Sequence, residues 1–553
     1  MSKHHYPNPG EFRQLIGALL GPEAAFFRVI LVYSAAISLL SLAIPISVQL
    51  LIDSVANTGL ISAIITIGLI LFALLLVSGV LYALRAWSME LFNRRLYSRL
   101  SSEIAMTGLL VRTGYFEQEE RAALFNRYFD IMTIKKNIPY LLGSGFTLLF
   151  QSIIGFVVVS LYHIYFLVFS IVLIVVIWAV WKIWGWKATV TAFRLSEAKH
   201  EAAAWLQGLA INNGFFKATR HHSYALEITD RKIHQHLDEQ QGHFRHSFSQ
   251  LLSFLFLYAF ASAALLSVGG WLVLQGQLTL GQLVSAELIM SAIFYGLPQL
   301  AGYLDYYYDV CAAVEELSRF GNVEIEKVGT EKPVDFADRQ ALVFQKVGCE
   351  SPQGKCRFDF TVPANSFVHV KPGDGGLVSL LASLLKQQQI PESGSITYGK
   401  ADLLSCNLME LRQAVVVLDR QTLLSVTIRD YLKLAALNVG SNEIYQALAA
   451  VNLNEEIAQF KNGLDTCLSH SGYPLSLDQA LRLKLAFVLL GSARIVVLGQ
   501  IYDVLEKTIL EGFWTQFSSA RGGILLYCTK RQIPELTALV LELDSQSQTL
   551  IKV

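Results

Sequence analysis

A glycine-rich segment in the second half of the chain has the setting of a phosphate-binding loop. Residues 371–381 read KPGDGGLVSLL and stand between a β-rich run and an apolar helical stretch. In the pattern G-x-x-x-x-G-K-[ST], backbone amides and the lysine hold the phosphates while the hydroxyl residue binds Mg²⁺. Here Lys371 takes the place of the first glycine and Gly376 keeps the second. Leu377 and Val378 replace the lysine and the hydroxyl residue, so the loop lacks the side chains that this chemistry needs.

The composition predicts a membrane protein. Of the 553 residues, 53% are hydrophobic and 16% are charged, whereas soluble proteins average about 25% charged residues. The formal net charge is zero, which gives no indication of nucleic-acid binding. Lys and Arg are absent from Val29–Leu84, Asn137–Trp181 and His246–Ser318, and each window can hold two spans of about 20 residues. The six predicted spans cover residues 26–51, 61–85, 139–161, 164–184, 249–274 and 282–304.

Lys and Arg are concentrated in the segments that connect these pairs of spans. The three hairpin tips contain neither residue, whereas the long loops at 86–136 and 185–248 are rich in both. By the positive-inside rule, the long loops, both termini and everything after Ser318 lie in the cytoplasm. The first residues are too polar for a cleavable signal, so we expect 1–25 to be a cytoplasmic segment.

Both long loops are polar, nearly free of Pro and Gly, and predicted to continue the spans as helices. Each is broken once by a glycine beside aromatic residues. The two interruptions are TGYF, which ends with Tyr115 and Phe116, and NNGFF, which ends with Phe215 and Phe216. Such a turn suits a short docking element, and the alternative is an ordinary loop turn with one buried Phe.

The pattern changes after Phe320 from membrane spans to alternating strands and helices. Residues 321–340 are charged and free of spans, so we expect a linker there. The predicted strands are Ala341–Val347, Phe367–Val370, Ala414–Leu418, Ile495–Leu498 and Gly523–Tyr527. Helical stretches separate them, and this alternation predicts an α/β domain with helices packed on a sheet.

These features together resemble the ABC exporter half-transporter, especially its type I secretion branch. Gly270–Gln299 is similar to the last two spans of that family, and Val310–Phe320 to the helix that leads into its nucleotide-binding domain. Four further motifs follow in family order: GSITYG at 394–399, TIRDYL at 427–432, GLDT at 463–466 and LSLDQALRLKLAFVLL at 475–490. The resemblance implies a six-span exporter domain at 26–320 and a phosphate-loop-type ABC nucleotide-binding domain at 341–553.

The resemblance also implies that ATP would bind between two such domains, and most residues of that site are altered here. The adenine-stacking aromatic falls at about Ser351, and the glutamine that senses Mg²⁺ and water aligns with Asp419. Gly499 and Gln500 stand where the family has the Mg²⁺-binding Asp and the catalytic Glu. Lys530 takes the position of the switch histidine. Loss of a general base alone lowers a rate by about 10²–10⁴-fold, so we predict a degenerate domain without ATPase activity.

The LSGGQ signature of the family is altered as well. It becomes Leu475-Ser476-Leu477-Asp478-Gln479, with both glycines replaced. The glycines let a backbone approach the γ-phosphate closely, whereas Asp478 would repel it. In ordinary heterodimers of the family the degenerate half keeps this signature, so here neither composite site would be complete.

A remnant of anion binding is conceivable in the phosphate loop. Gly373, Gly375 and Gly376 can form a backbone nest at the start of a helix, and Lys371 can serve as a substitute cation. Asp374 and the missing Mg²⁺ ligands oppose this, so we expect weak or absent binding of ATP and Mg²⁺ and no firm cofactor.

The partners follow from the same resemblance. We expect a bacterial inner-membrane subunit that pairs with an ATPase-competent half in an export or secretion complex. The alternative is a homodimeric scaffold or regulatory subunit of a membrane assembly, without ATPase activity. An active homodimeric exporter would hydrolyse ATP alone, which the altered residues argue against.

Two other groups of ionisable residues deserve an interpretation. Seven histidines crowd the second long loop: His200, His221, His222, His234, His236, His243 and His246. No carboxylate or cysteine pattern completes a metal site with them, so we expect a solvated or pH-responsive helix face and no metal. Glu287 lies inside the sixth span, either as a functional group or beside a water-filled vestibule.

Overall fold

A computed structural model divides the chain into two compact units, Met1–Ile325 and Glu326–Val553. The structure describes residues 9–57, 61–112, 115, 123–321, 323–326, 336, 339–351, 354–373, 375–530, 539–545 and 548–552. The first unit is helical and the second contains both strands and helices.

Long helices build the first unit. They are α1 (Pro9–Leu20), α2 (Ala24–Leu40), α3 (Ala43–Asn57), α4 (Ile61–Leu110), α5 (Asp130–Tyr140), α6 (Phe146–Ser160), α7 (Ile164–Ile211), α8 (Thr219–Leu274) and α9 (Leu280–Gly321). A π-helical turn, Leu141–Gly145, joins α5 to α6. Within the described chain, six helical stretches are long and apolar enough to cross a membrane, which confirms the six predicted spans.

Four of these helices are much longer than a bilayer requires. The helix α4 has 50 residues and α8 has 56, whereas a span needs about 20. Because a helix rises about 1.5 Å per residue, more than half of each lies beyond the hydrocarbon layer. The spans therefore continue as helices into the two long loops, as the sequence predicts. The second loop turns at Asn212–Gly214 and the short 3₁₀ helix Phe215–Lys217 before α8 begins.

Two histidines of the second loop lie inside the helical unit. His200 is buried, with its Nε2 2.6 Å from the Asp130 carboxylate on α5. His243 is also buried, with its Nε2 3.1 Å from Asp305 on α9. The expectation of a solvated histidine face is therefore wrong for these two residues. The helical period alone could not reveal this, because the carboxylates that cover them are distant in sequence.

The second unit contains two sheets, where the strand pattern predicted one. The strands are β1 (Leu342–Ser351), β2 (Gly354–Val362), β3 (Phe367–Pro372), β4 (Ser393–Tyr398), β5 (Ala401–Asp402), β6 (Val415–Leu418), β7 (Ile495–Leu498), β8 (Ile524–Cys528), β9 (Leu539–Leu543) and β10 (Gln548–Lys552). A four-stranded antiparallel sheet has the order β2-β1-β4-β5. A six-stranded sheet has the order β10-β9-β3-β8-β7-β6, in which only β10 pairs antiparallel. All five predicted strands are present. The strand β1 has a bulge between Phe344 and Val347 and continues beyond its predicted end, Val347, to Ser351.

Helices cover the sheets and complete two apolar cores. They are α10 (Gly375–Leu385), α11 (Leu408–Ala414), α12 (Ile428–Lys433), α13 (Ser441–Ala450), α14 (Asn454–Ala458), α15 (Leu477–Leu490) and α16 (Lys507–Arg521). The strands β7 and β8 are buried along their whole length, which explains why they read as continuous apolar runs. The fold class predicted from the sequence, six spans followed by an α/β domain, is confirmed.

Candidate functional site

One edge of the six-stranded sheet collects most of the candidate residues. The strands β3, β6, β7 and β8 run parallel, so their carboxyl ends meet at the same edge, where α/β proteins bind ligands. Gly373 follows β3, Asp419 follows β6 and Gly499 follows β7. Lys530 comes two residues after β8. The topology therefore places at one edge of the sheet the four positions that the motif spacing predicts for the site.

Leu377, which the motif predicts at the position of a phosphate-binding lysine, is part of the apolar core. Its side chain is only 4% exposed and belongs to the cluster formed with Leu381 of α10 and Val370 of β3. Val378 is partly buried against the same cluster. Both side chains at the former ligand positions therefore stabilise the packing of α10 on the sheet.

Backbone groups of the predicted phosphate loop also take part in the fold. Gly373 donates its N–H to the carbonyl oxygen of Leu543 at 2.8 Å, as part of the pairing of β3 with β9. Gly375 and Gly376 form the first turn of α10, and Asp374 lies outside the described residues. The ammonium of Lys371 lies 3.9 Å from Glu542, with both side chains largely in solvent, so this pair contributes little.

Gly499, the predicted position of an Mg²⁺-binding aspartate, is closely packed. A Cβ atom at Gly499 would lie 3.1 Å from Cα and 3.2 Å from Cβ of Asp419, so any side chain would displace this neighbour. Asp419 itself is exposed and faces two lysines. Burial lowers the pKa of Lys386 and of Lys484, and the negative charge of Asp419 acts against both shifts. Gln500 is exposed at the start of a 3₁₀ turn.

A polar network beside Lys530 escaped the sequence reasoning. Tyr527 and Thr529 donate their hydroxyls to the two carboxylate oxygens of Asp503 at 2.6 and 2.8 Å. The Nε2 atom of His369 lies 3.0 Å from the carbonyl oxygen of Thr529. The sequence does contain a signal for this network, because Tyr527 and His369 are polar residues in otherwise apolar strands. Lys530 is exposed at the end of this network.

The segment that the sequence predicts as an altered signature forms the start of α15 and caps it. Ser476 accepts a hydrogen bond from the backbone N–H of Gln479 at 3.2 Å, and the Gln479 side chain accepts one from the N–H of Ser476 at 2.9 Å. This reciprocal capping box satisfies two donors of the helix terminus. Leu477, which replaces the first glycine, is partly buried against the adjacent apolar core. The amide groups that could meet a phosphate are therefore partly used within the helix.

An ion-pair network holds the same helix terminus. The guanidinium of Arg482 donates to Glu456 and to the carbonyl oxygen of Asn452, both at 2.7 Å, and it also donates to Asp478. Gln479 donates to the second oxygen of Glu456 at 2.6 Å. Burial raises the pKa of Glu456, but the hydrogen bonds from Arg482 and Gln479 outweigh it and hold this pKa below its ordinary value. Asp478 is thus paired within the chain.

The predicted docking turns are only partly described. At the second turn Phe215 is exposed and stacks on His221, with 4.3 Å between ring centres, while Phe216 packs edge-on against Trp205. At the first turn Tyr115 packs against the helical core, and Phe116 lies outside the described residues. The second turn therefore presents one exposed ring, as a docking element would.

Glu287 lies within the predicted sixth span. Ser291, one turn further along α9, donates its hydroxyl to Oε1 of Glu287 at 3.0 Å. The other carboxylate oxygen is enclosed and accepts no hydrogen bond from the described residues.

Comparisons with known proteins agree with this architecture. Residues 27–206 match the family model described as ABC transporter transmembrane region. The structure is similar to that of a bacterial Atm1-family ABC exporter with ATP bound, with a TM-score of 0.79 and coverage of 96% of both chains. The chain has the fold of an ABC exporter. At 17% sequence identity, this likeness shows the fold alone.

The curated relatives of this ABC-exporter-like membrane protein are distant. The β-(1→2)-glucan export ATP-binding/permease protein NdvA of Bartonella bacilliformis is 25% identical over 249 residues, covering 44% of this chain and 41% of the relative. The α-haemolysin translocation ATP-binding protein HlyB of Escherichia coli O157:H7 is 26% identical over 251 residues, covering 43% and 34%. The chain therefore spans less than half the length of either relative.

Proposed function

We propose that this chain is an ABC-exporter-type transport subunit whose α/β domain does not hydrolyse ATP. The observation that carries the proposal is the burial of Leu377 at the position of the phosphate-binding lysine. The Leu377 side chain cannot reach a phosphate. Because it fills the core, it also leaves no room there for a side chain that could. The crowding at Gly499 and the exposed Gln500 support the same conclusion for Mg²⁺ and for the general base.

Energy for transport then comes from another chain. We propose that the subunit pairs with an ATPase-competent half in a bacterial inner membrane, with both termini in the cytoplasm. NdvA and HlyB are both named as ATP-binding proteins of export or translocation, which supports an export role for such a pair. Assignment to type I secretion stays a prediction from the sequence, with the similarity to HlyB as its support.

The state of the signature favours a second candidate, a homodimeric scaffold or regulatory subunit of a membrane assembly. In a heterodimer that uses ATP, this helix terminus would have to meet the nucleotide held by the partner. Here Asp478 adds a carboxylate at that terminus, and Arg482 ties it into an internal network. A subunit that never contacts nucleotide would tolerate this arrangement.

Nucleotide assays on the full chain in lipid nanodiscs test the loss of activity. We expect no hydrolysis of Mg-ATP above background and no saturable binding of a fluorescent ATP analogue, with an intact ABC exporter as the positive control. The variant Gln500→Glu restores the general base alone and should remain inactive. ATP hydrolysis that co-purifies with the chain and disappears in Gly376→Asp would contradict the proposal.

Purification from native membranes separates the two candidate functions. Recovery of an intact ABC half whose ATPase activity rises on pairing would support the transport subunit. Native mass spectrometry that finds only a homodimer without nucleotide would support the scaffold and contradict the heterodimer.

A further inference from the structure

Arg85 is a buried cation without an acidic partner near one end of the predicted second span. Its relative exposure is 6%. Further along the same helix, Arg94, Arg95 and Arg99 each form an ion pair with a glutamate. No carboxylate pairs with Arg85 among the residues that the structure describes. Since isolated buried charges are strongly unfavourable, we expect this guanidinium to bind an anion from outside the chain.

The contacts of Arg85 within the protein are neutral and lie on one side of the guanidinium. Its Nη1 atom donates to Thr147 Oγ1 at 2.5 Å and, at 3.3 Å each, to Ser34 Oγ and the carbonyl oxygen of Gly143. These acceptors belong to α2, to the π-helical turn and to α6, so the side chain is fixed at the junction of three elements. None of the three bonds uses Nε or Nη2. Three further N–H groups of the planar fork, one on Nε and two on Nη2, remain, and Tyr82 is the other side chain that interacts with the guanidinium.

Exposed aromatic side chains connect this site to the surface of the helix. The ring of Tyr82 lies 4.9 Å from the guanidinium carbon of Arg85 and is itself 58% exposed. Trp87, two residues beyond Arg85, is also exposed. Tyr and Trp are enriched where lipid headgroups meet the hydrocarbon layer, and the arginine-rich part of α4 begins here. The site therefore lies at headgroup depth, beside exposed aromatic side chains.

We propose that Arg85 binds the phosphate of an anionic phospholipid headgroup in the leaflet at the Lys- and Arg-rich ends of the spans. A guanidinium binds phosphate through two parallel charge-assisted hydrogen bonds, which suits Nε and Nη2. The exposed aromatic side chains of Tyr82 and Trp87 offer surfaces for the lipid glycerol and upper acyl chains. The internal bonds from Nη1 hold the fork in place, so little side-chain entropy is lost when the lipid binds.

Lipid titration of the purified full chain, followed by native mass spectrometry, tests the site. The wild type should retain phosphatidylglycerol in preference to phosphatidylcholine. Arg85→Gln, which keeps donors for the internal acceptors but removes the charge, should bind phosphatidylglycerol about tenfold more weakly. Arg94→Gln removes an exposed arginine of the same helix and should change nothing. Unchanged binding in Arg85→Gln, or equal loss in both variants, would overturn the proposal.

Two further experiments exclude a folding defect and the binding of a soluble anion as explanations. Tyr82→Leu leaves the three hydrogen bonds from Nη1 of Arg85 in place and should weaken phosphatidylglycerol binding severalfold, so unchanged binding in this variant also contradicts the site. Excess inorganic phosphate should not displace the lipid. If it does so in the wild type and loses this effect in Arg85→Gln, the site binds a soluble anion and the lipid assignment is wrong.

Discussion

Replacing Arg482 by methionine should loosen the start of α15 and leave the rest of the α/β unit folded. The guanidinium joins Glu456, Asp478 and the carbonyl oxygen of Asn452, and its side chain is only 8% exposed. Methionine retains most of the aliphatic length of arginine, so the packing of the helix changes little. The variant therefore reports on the charged hydrogen bonds alone.

The solvent exposure of the partners sets the size of the effect. Fully buried, each hydrogen bond to a charged group is worth about 1.5–3 kcal/mol. The side chains of Glu456 and Asp478 are 35% and 34% exposed. When Arg482 is removed, hydrogen bonds to water therefore replace much of the interaction that these carboxylates lose. We therefore assign about 0.5–1 kcal/mol to each of these pairs and about 1 kcal/mol to the Asn452 carbonyl. A total of about 2.5 kcal/mol corresponds to a local opening equilibrium about 70-fold more favourable.

Hydrogen exchange on the full chain in nanodiscs measures this opening locally. In Arg482→Met, amides of residues 480–490 should exchange about 70-fold faster where exchange is limited by local opening. Arg429→Met is the matched control, because it removes an equally close pair with Asp465 that lies at the surface. It should leave exchange in α15 unchanged. Equal exchange in the two variants would refute the view that the signature relic is held by its internal network.

Two further predictions concern the same unit. Leu377→Lys should lower the free energy of unfolding by about 1.5–3 kcal/mol, because the burial of leucine is lost, and it should not create nucleotide binding. Ser379→Lys, on the exposed side of α10, is the control and should leave a thermal melt nearly unchanged. The pairing of Glu456 should stabilise the unit at pH values above its ordinary pKa of 4.5 and be lost as the pH falls through the lower folded pKa, so the melting temperature of Glu456→Gln should lack this acid-side loss.

The sequence was most informative where one physical signal dominates. Six spans follow from windows without Lys or Arg, because charges are expensive in hydrocarbon. The bounds of β7 agree with the prediction, since a strand buried on both faces reads as an unbroken apolar run. The antiparallel strands β2 and β4 were missed, although β2 alternates buried and exposed residues, which is the usual signal of a half-buried strand.

Contacts between residues far apart in sequence explain the remaining differences. Burial of His200 depends on Asp130, 70 residues earlier, and nothing in the local helical pattern indicates it. The same holds for Asp503 with Tyr527 and Thr529, which only the sheet brings together. The altered site residues could be found from motif spacing, but the new partners of Asp478 required the structure.

The positions predicted to have lost nucleotide-binding residues make other contacts in the structure. Leu377 now fills the core beneath α10, and Asp478 pairs with Arg482 at the cap of α15. At Gly499 the backbone N–H donates to the carbonyl of Leu418, and an added Cβ would require Asp419 to shift by a few tenths of an ångström. Simple loss of selection on a catalytic site would leave unpaired polar groups and voids, which destabilise a fold. Under the proposed function, these side chains contribute packing and an ion pair to the domain, so the transport subunit retains its shape. Restoring one catalytic side chain at a time should therefore cost stability before it gives activity.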